Sequence, residues 1–296
     1  MPGKIENSNK NLLILHFTVF VWGFTGILGN LISVSAVHMV WYRVLIASIT
    51  LFAYFKLSKT SLRVTKKQFL QFFFIGSIVA LHWILFFQAI KISTVSVTLV
   101  CLSSITLFTA ILEPLIKKQS IQMADIVIGL VIISGIYLIF KFESRYTIGI
   151  IFGLSAALTA SLFSTLNSTL VQKSNPVIIG FYEISGAFFW VTVYRLADGT
   201  LLLERFSLNV QDWLYLLFLG TVCTALAYIA AVAVMRTLSA FRVALVTNLE
   251  PIYGSLLAFI LFGTKETMSP GFYLGASLIL AAVFGYPVYK KYKSRN

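Results

Sequence analysis

Charged residues are scarce in this chain. Asp, Glu, Lys and Arg make up only 11% of its 296 residues, whereas a soluble domain carries about 25%. Because 58% of the residues are hydrophobic, the chain has too little polar surface to cover a water-soluble core. The scarcity of charge therefore excludes an ordinary soluble protein. It predicts an integral membrane protein that uses the lipid bilayer as part of its solvent.

Residue types that carry catalytic and metal chemistry are also few. The cysteines Cys101 and Cys223 both fall in apolar segments and form no CxxC pair, so we expect small buried side chains. The histidines His16, His38 and His82 form no HExxH motif, and neither GxSxG nor the nucleotide-binding GxxxxGK[ST] occurs. These absences argue against the alternative of a membrane-embedded enzyme and against ATP-driven transport within this chain. We predict no cofactor and no bound metal.

Acidic residues are fewer than basic ones, which gives a formal net charge of +13. Most Lys and Arg lie in short clusters between or after apolar runs, as cytoplasmic anchors do, which argues against a nucleic-acid partner. With the N-terminus inside, sixteen of them fall on the cytoplasmic side and six on the other, with Arg43 left within a span. This bias predicts a multi-pass cell-membrane protein with both termini cytoplasmic. The first apolar run has no small-residue cleavage site after it, so we expect a retained helix rather than a signal peptide.

Long hydrophobic runs are abundant. A bilayer core about 30 Å thick requires roughly twenty apolar residues per helix, and the links between the runs are short. The sequence therefore predicts an all-α integral membrane protein with ten transmembrane helices. The predicted spans are residues 12–32, 37–57, 69–90, 93–116, 122–140, 147–170, 177–197, 211–235, 239–263 and 270–289.

The two halves of the chain resemble each other. The segment GLVIISG, which begins at Gly129, matches GASLILA, which begins at Gly275, and the same offset sets His82 against Tyr228. Because each half has an odd number of spans, the second half must lie upside down relative to the first. Inverted repeats of this kind are typical of secondary transporters, with the substrate near the midplane between the halves. The predicted five-helix repeats are residues 1–141 and 142–296.

Several short motifs carry a family resemblance. Trp22-Gly23 and Tyr42-Arg43, together with residues 248–253 (NLEPIY) followed by Glu266, resemble motifs of EamA-type proteins in the drug/metabolite transporter superfamily. The resemblance covers about residues 12–289. It implies a ten-helix exporter or exchanger of small organic metabolites that works by alternating access. It also implies a central cavity between the first, third, fourth, sixth, eighth and ninth spans.

The first half departs from the motif of the second. Ile105 stands where the repeat would place Pro251, and Glu113-Pro114 occurs later in the span. Near the cytoplasmic end of that span we expect an i,i+4 ion pair between Glu113 and Lys117. A non-transporting scaffold or receptor is the remaining alternative, but it would not explain a duplicated half with ionisable groups near the midplane.

The first candidate site surrounds Glu250. This residue lies eleven residues into the ninth span, close to the midplane, and Pro251 after it removes a backbone donor. With the polar side chains of Asn248 and Tyr253, it forms a candidate substrate or proton site, since intramembrane acids are usually functional. The alternative is a kinked helix whose carboxyl group is neutral or bonded to Tyr or Arg from another span.

The second candidate is His82, near the middle of the third span. A histidine can change its charge near neutral pH, which makes His82 a candidate for proton coupling beside Glu250. The alternative is a neutral histidine that donates one hydrogen bond between helices. Its repeat partner Tyr228 would face the same cavity. Trp22 and Trp83 lie deep in their spans, and we expect them to form aromatic cavity walls or to pack.

Arg43 and Glu183 are candidate gating residues. Each lies six residues into its span, Arg43 from the outer start and Glu183 from the inner start. On a core of about 30 Å these positions are roughly 12 Å apart along the membrane normal. We therefore expect two separate gates, each with its own partner, rather than a salt bridge. The alternative for Arg43 is a side chain that extends outward to the interface and fixes helix packing.

Overall fold

The computed structural model describes residues 2–59, 61–120, 123–203 and 208–293, with side chains for 9–59, 61–120, 127–201 and 208–285. Its regular elements are helices, and the described residues contain no strand. A π-helical turn covers Thr221–Leu226, and 3₁₀ turns cover Ser144–Tyr146 and Gly263–Glu266. The α-helices are α1 (Pro2–Leu31), α2 (Ala36–Ser58), α3 (Lys66–Ile92), α4 (Val95–Leu102), α5 (Ile105–Lys117), α6 (Met123–Phe142), α7 (Thr147–Leu170), α8 (Pro176–Ala197), α9 (Thr200–Leu203), α10 (Val210–Gly220), α11 (Ala227–Val234), α12 (Ala240–Thr247), α13 (Glu250–Phe262) and α14 (Pro270–Lys293).

Polar residues at helix starts explain where the chain turns back into the membrane. Thr65 and Gln68 form a reciprocal capping box at the start of α3, and Asn175 caps α8 with Pro176 in its first turn. Each cap satisfies a backbone N–H that has no partner within its own helix. The residues whose side chains cap a helix in this way are Ser35, Thr65, Thr94, Asn175, Asn209 and Ser239.

The prediction of ten transmembrane helices in two inverted five-helix repeats is confirmed. Eight segments of the described chain are long and apolar enough to cross a membrane. The remaining two spans are α6 and α14, of 20 and 24 residues, whose described apolar portions are Val127–Phe142 and Pro270–Gly285. At a rise of 1.5 Å per residue, both helices reach across a core of about 30 Å.

Three spans that the sequence predicts as continuous helices are interrupted. The fourth span breaks between α4 and α5 at Ser103 and Ser104, and the ninth breaks between α12 and α13 at Asn248 and Leu249. In the ninth span Pro251 lies in the first turn of α13, where its missing N–H removes no intrahelical bond. The eighth span contains the π-helical turn between α10 and α11. Unwound or widened backbone in mid-membrane is tolerated where it is buried in protein or lines a cavity.

The interrupted fourth and ninth spans pack against each other along both of their helical segments. Helix α4 contacts α13, and α5 contacts α12. Around them, α3 packs on both α7 and α8, while α1 contacts α11 and α13. This arrangement brings both breaks and the π-helical turn to the centre of the bundle.

The repeated glycine segments of the two halves contact each other across α6 and α14. A Cβ atom on Gly135 would lie 2.8 Å from the Gly275 carbonyl oxygen, and one on Gly275 would lie 2.6 Å from that of Gly135. Because only glycine permits this approach, the two helices pack backbone to backbone, as small residues allow in membranes. Residues of both helices belong to a second hydrophobic cluster, which also includes residues of α4, α5 and α7 and lies apart from the main core.

Candidate functional site

The breaks and the π-helical turn surround a central cavity. It contains about 800 Å³ of empty space, counting the space at its mouth. Its wall includes side chains from all six spans that the family resemblance implies, and from the second span through Arg43. The lining residues are Trp22, Thr25, Arg43, His82, Trp83, Phe86, Leu102, Ile105, Ala160, Phe163, Ser164, Cys223, Tyr228, Ala231, Val232, Met235, Val243, Ala244, Thr247 and Glu250.

The structure brings six of the nine candidate residues to this wall and places three elsewhere. Asn248 is buried at the break of the ninth span, where its Nδ2 donates to Thr106 Oγ1 at 2.5 Å and to the Ala244 carbonyl at 2.7 Å. Tyr253 contacts the Phe20 ring on α1, and Glu183 lies behind Tyr228. The six residues at the cavity wall are Trp22, Arg43, His82, Trp83, Tyr228 and Glu250.

Glu250 begins α13 directly after the break in the ninth span. Its side chain is only 4% exposed, yet its carboxylate accepts no hydrogen bond from the described residues. A bond from Tyr or Arg of another span, which would make it a purely structural acid, is absent from the described part of the chain. A buried carboxyl group on a cavity wall can bind a cationic group or exchange a proton.

His82 connects α3 to α7. Its Nδ1 lies 2.9 Å from the Ala156 carbonyl oxygen, and because a carbonyl only accepts, Nδ1 carries the proton. The imidazole also contacts the ring of Phe163 at a centroid distance of 5.5 Å. The interhelical hydrogen bond considered as the alternative role of His82 is thus present, beside an aromatic cavity wall.

The guanidinium of Arg43 lies inside the bundle rather than at the outer interface. The side chain is 2% exposed, and its Nε donates to Thr224 Oγ1 at 2.5 Å. The guanidinium carbon lies 4.1 Å from the centre of the Trp83 ring and 5.4 Å from that of Phe87. Because all of these partners lie within the bundle, the side chain of Arg43 does not extend outward to the interface.

Glu183 has partners different from those of Arg43. It is fully buried, and one carboxylate oxygen accepts from Tyr228 Oη at 2.7 Å and from Asn167 Nδ2 at 3.0 Å. Asn167 also donates to the Tyr228 oxygen at 3.2 Å. Arg43 and Glu183 form no ion pair with each other in the described structure. Tyr228 therefore connects the cavity wall to a buried acid.

The π-helical turn positions groups that the sequence does not identify. Thr224 Oγ1 donates to the carbonyl of Leu219, five residues earlier, at 2.6 Å. The Cys223 carbonyl is free to accept from Trp22 Nε1 at 3.2 Å. Turns of this kind often occur at functional sites. No sequence pattern links Thr224 to Arg43 or Asn167 to Tyr228, because these partners are 181 and 61 residues apart along the chain.

Comparison with known proteins agrees with this architecture. The sequence model of the EamA-like transporter family matches residues 9–141 and 147–286. The chain belongs to the EamA-like transporter family. Two relatives are described as uncharacterized transporters. One, from Archaeoglobus fulgidus, is 28% identical over 149 residues, or 50% of this chain and 51% of its own length. The other, from Clostridium kluyveri, is 28% identical over 213 residues, or 68% of this chain and 65% of its own length.

A solved crystal structure shares the fold of this EamA-like protein. It superposes with a TM-score of 0.67 at 15% sequence identity, covering 93% of this chain and 97% of the other. At this identity the likeness shows the fold alone. The chain spans about half of the Archaeoglobus relative and about two thirds of the Clostridium relative. The family match and the apolar spans identify the chain as a multi-pass membrane protein of the EamA-like transporter family.

One end of this EamA-like protein is closed by polar contacts next to the α1–α2 turn. Asp212, at the start of α10, accepts from the backbone N–H of Ser33 at 2.9 Å and from its hydroxyl at 2.5 Å. Lys91, near the end of α3, donates to the carbonyl of Ile32. At the same end of the bundle, Glu266 accepts from the N–H groups of α4. These bonds tie α1, α3 and α10 together above the cavity.

The cavity extends toward the opposite end of the bundle. Its wall follows α11 to Met235 and α12 from Val243, which flank the turn where the chain passes from one helix to the other. Polar residues are sparse along this stretch of wall. The charged residues Arg43 and Glu250 lie deeper, at the closed end of the space.

Proposed function

We propose that this transporter moves small organic metabolites across the cell membrane by alternating access, as an exporter or exchanger, with the central cavity as its binding site. The observation that supports this proposal best is the pair of buried charged residues, Arg43 and Glu250, on the wall of one cavity. Charged side chains inside a bilayer are costly and are retained where they serve substrates or ions.

The chemistry of the cavity wall favours a small organic molecule. Ligand sites commonly combine apolar walls with a few placed polar groups. Here the wall consists mainly of aromatic and aliphatic side chains, with Arg43 and Glu250 as its charged groups. Trp22, Trp83 and Tyr228 supply flat surfaces against which an organic cargo can pack.

The closed α1–α2 end supports an alternating mechanism. If the N-terminus is cytoplasmic, as the distribution of Lys and Arg predicts, the closed end faces outward and the cavity extends toward the cytoplasm. A cargo would then be loaded from the cytoplasm. Its release outside would require the contact between Ser33 and Asp212 to open.

Glu250 is the group best placed to couple transport to protons. Its carboxyl group has no hydrogen-bond partner among the described residues and faces the cavity. The titratable groups on the same wall are those of Arg43, His82, Cys223 and Tyr228. His82 lies on the same wall, but its imidazole already connects α3 to α7 through the hydrogen bond from Nδ1 to the Ala156 carbonyl. We therefore assign the coupling step to Glu250.

Disulfide locking of the closed end tests the mechanism. The variant Ser33→Cys with Asp212→Cys, in a background with Cys101→Ala and Cys223→Ala, is reconstituted into vesicles and supplied with a cell metabolite extract. Mass spectrometry then measures which components enter. We expect the reduced protein to transport, and oxidation to stop transport reversibly because the closed end cannot open.

The two single-cysteine variants are the controls, and neither should respond to oxidation. Transport that continues through the fully cross-linked protein would contradict alternating access at this end. If the cysteine-free parent protein transports no component of the extract, the proposal of metabolite transport fails.

A further inference from the structure

We propose that Arg43 binds an anionic group of the cargo, such as a carboxylate, and that Thr224 is the residue that positions Arg43 for this role. The inference rests on the proposed function of the cavity as the transport site. It adds the charge class of the cargo and a positioning residue outside the family motifs.

Arg43 has donors that the protein does not use. A guanidinium carries five N–H donors and is always charged in proteins. Its Nε is bonded to Thr224, but Nη1 is buried without a hydrogen-bond partner in the described structure. No described carboxylate lies within ion-pair distance of this cation. A charged donor in this state is costly inside a membrane, and an anionic cargo would supply the missing acceptor.

The aromatic rings around Arg43 pack on the guanidinium and leave its planar edge available for such a ligand. Trp83 packs on the guanidinium at 4.1 Å from the ring centre, and Phe87 lies at 5.4 Å. Aromatic packing stabilises the cation but accepts no in-plane hydrogen bond. The planar edge of an arginine matches a carboxylate, which accepts two parallel N–H bonds. The arrangement therefore favours an anionic group over a neutral one.

Thr224 holds the guanidinium in place through the π-helical turn. Its hydroxyl hydrogen is directed to the Leu219 carbonyl at 2.6 Å, so a lone pair of the same oxygen faces Arg43 Nε at 2.5 Å. The hydroxyl reaches a carbonyl five residues back because the helix is widened there. With Nε fixed and the ring of Trp83 on its face, the side chain of Arg43 has little freedom to turn away from the cavity.

Because Glu250 lies on the same wall, two kinds of anionic cargo are compatible with the site. A zwitterion would place its ammonium group near the Glu250 carboxylate while its own carboxylate binds Arg43. A simple monoanion would instead require Glu250 to take up a proton. His82, Cys223 and Tyr228 are the other titratable groups that line this space. Both kinds of cargo share the anionic group, and a test can separate them.

The test measures binding to the full-length protein in detergent with four probes that share one phenylalkyl framework. These are 3-phenylpropionate, phenylalanine, 2-phenylethylamine and 3-phenylpropanamide, and tryptophan fluorescence reports their binding. We expect at least one of the two carboxylates to bind at least about tenfold more tightly than the amine and the amide. If the cargo is a zwitterion, Glu250→Gln should weaken the binding of phenylalanine. If the cargo is a monoanion, the same substitution should strengthen the binding of 3-phenylpropionate.

The variants of Thr224 and Arg43 separate positioning from folding. Thr224→Val keeps the shape of the side chain and removes the acceptor, so carboxylate binding should weaken several-fold, and Thr224→Ser should restore it. Arg43→Lys keeps the charge without the planar edge and should also bind more weakly. Binding of the amine or amide should not change with Thr224→Val.

Three results would overturn the inference. They are equal binding of the amide and the carboxylates, no binding of either carboxylate, and unaltered carboxylate binding in both Thr224→Val and Arg43→Lys. None of these depends on vesicle transport. Failure of the metabolite-uptake assay would therefore count against the proposed function separately, because the charge preference of the cavity is measured without it.

Discussion

Glu113 and Glu266 each cap the first turn of the other's span. Glu266 follows α13 and accepts from the N–H groups of Val95 at 3.1 Å and Ser96 at 2.9 Å, at the start of α4. Glu113 lies on α5 and accepts from the N–H of Phe241 at 2.8 Å, at the start of α12. Although the proline spacing of the two halves differs, the two acids have the same role in their repeats. They hold the fourth and ninth spans together at both ends.

The predicted i,i+4 pair at Glu113 is confirmed and belongs to the same arrangement. Lys117 Nζ lies 2.6 Å from one Glu113 carboxylate oxygen, while the other oxygen accepts from Phe241. The lysine thus orients the carboxylate that caps α12. The ion pair between Glu113 and Lys117, which the sequence indicates, is therefore part of a contact between the two repeats.

Replacing Glu266 with Gln should destabilise the protein. The change removes the negative charge and one of the two acceptor oxygens at the N-terminus of α4, and caps of this type contribute about 1–2 kcal/mol. Thermal unfolding in detergent is the measurement, with the exposed neighbour Lys265→Gln as control. Equal melting temperatures for Glu266→Gln and the wild type would contradict the capping role.

The loop of residues 56–68 should lie in the cytoplasm. Lys and Arg are concentrated there, and basic loops stay on the cytoplasmic side. In a background with Cys101→Ala and Cys223→Ala, Ser61→Cys should resist an impermeant thiol reagent added to intact cells. The matched Lys265→Cys, on the predicted outer side, should react. Labelling of Ser61→Cys from outside would contradict the predicted orientation.

Replacing Glu250 with Gln should keep the fold and alter transport. Glutamine has nearly the same shape but cannot exchange a proton, so transport in vesicles should fall or lose its dependence on pH. Uptake is measured at several pH values between about pH 5 and pH 8. Glu143→Gln, at the α6–α14 end and outside the cavity wall, is the control. Unchanged uptake at every pH would leave Glu250 with a packing role.

Arg43 and Glu183 should act independently. Reversing both charges, Arg43→Glu with Glu183→Arg, should not rescue the single variants, because the two side chains have separate partners. Their coupling energy in a double-mutant cycle should be below the 0.5–3 kcal/mol that is typical of residues in contact. The positive control is Glu183→Gln with Tyr228→Phe, which share a hydrogen bond and should be non-additive. Rescue by the charge swap would place the two residues in one gate.

Much of the architecture follows from local properties of the sequence. The number of spans follows from hydropathy and the rise of a helix. The same arithmetic places Glu250 near mid-membrane, and the paired segments at Gly129 and Gly275 indicate the repeat. The span count and the depth of Glu250 depend on residues within single spans, and the repeat follows from comparing two segments directly. The order of residues along the chain is therefore enough to predict them.

The contacts within the site depend on tertiary structure. Arg43 and Thr224 are 181 residues apart, and Asn167 and Tyr228 are 61 apart, so no local pattern connects them. The break at Ser103 and Ser104 lies in a run that reads as a continuous apolar helix. Hydropathy determined which residues enter the membrane, but only packing between helices decided where a backbone opens and which buried donors find partners. The reason is that a backbone group released in lipid is stabilised only by what a neighbouring helix offers it.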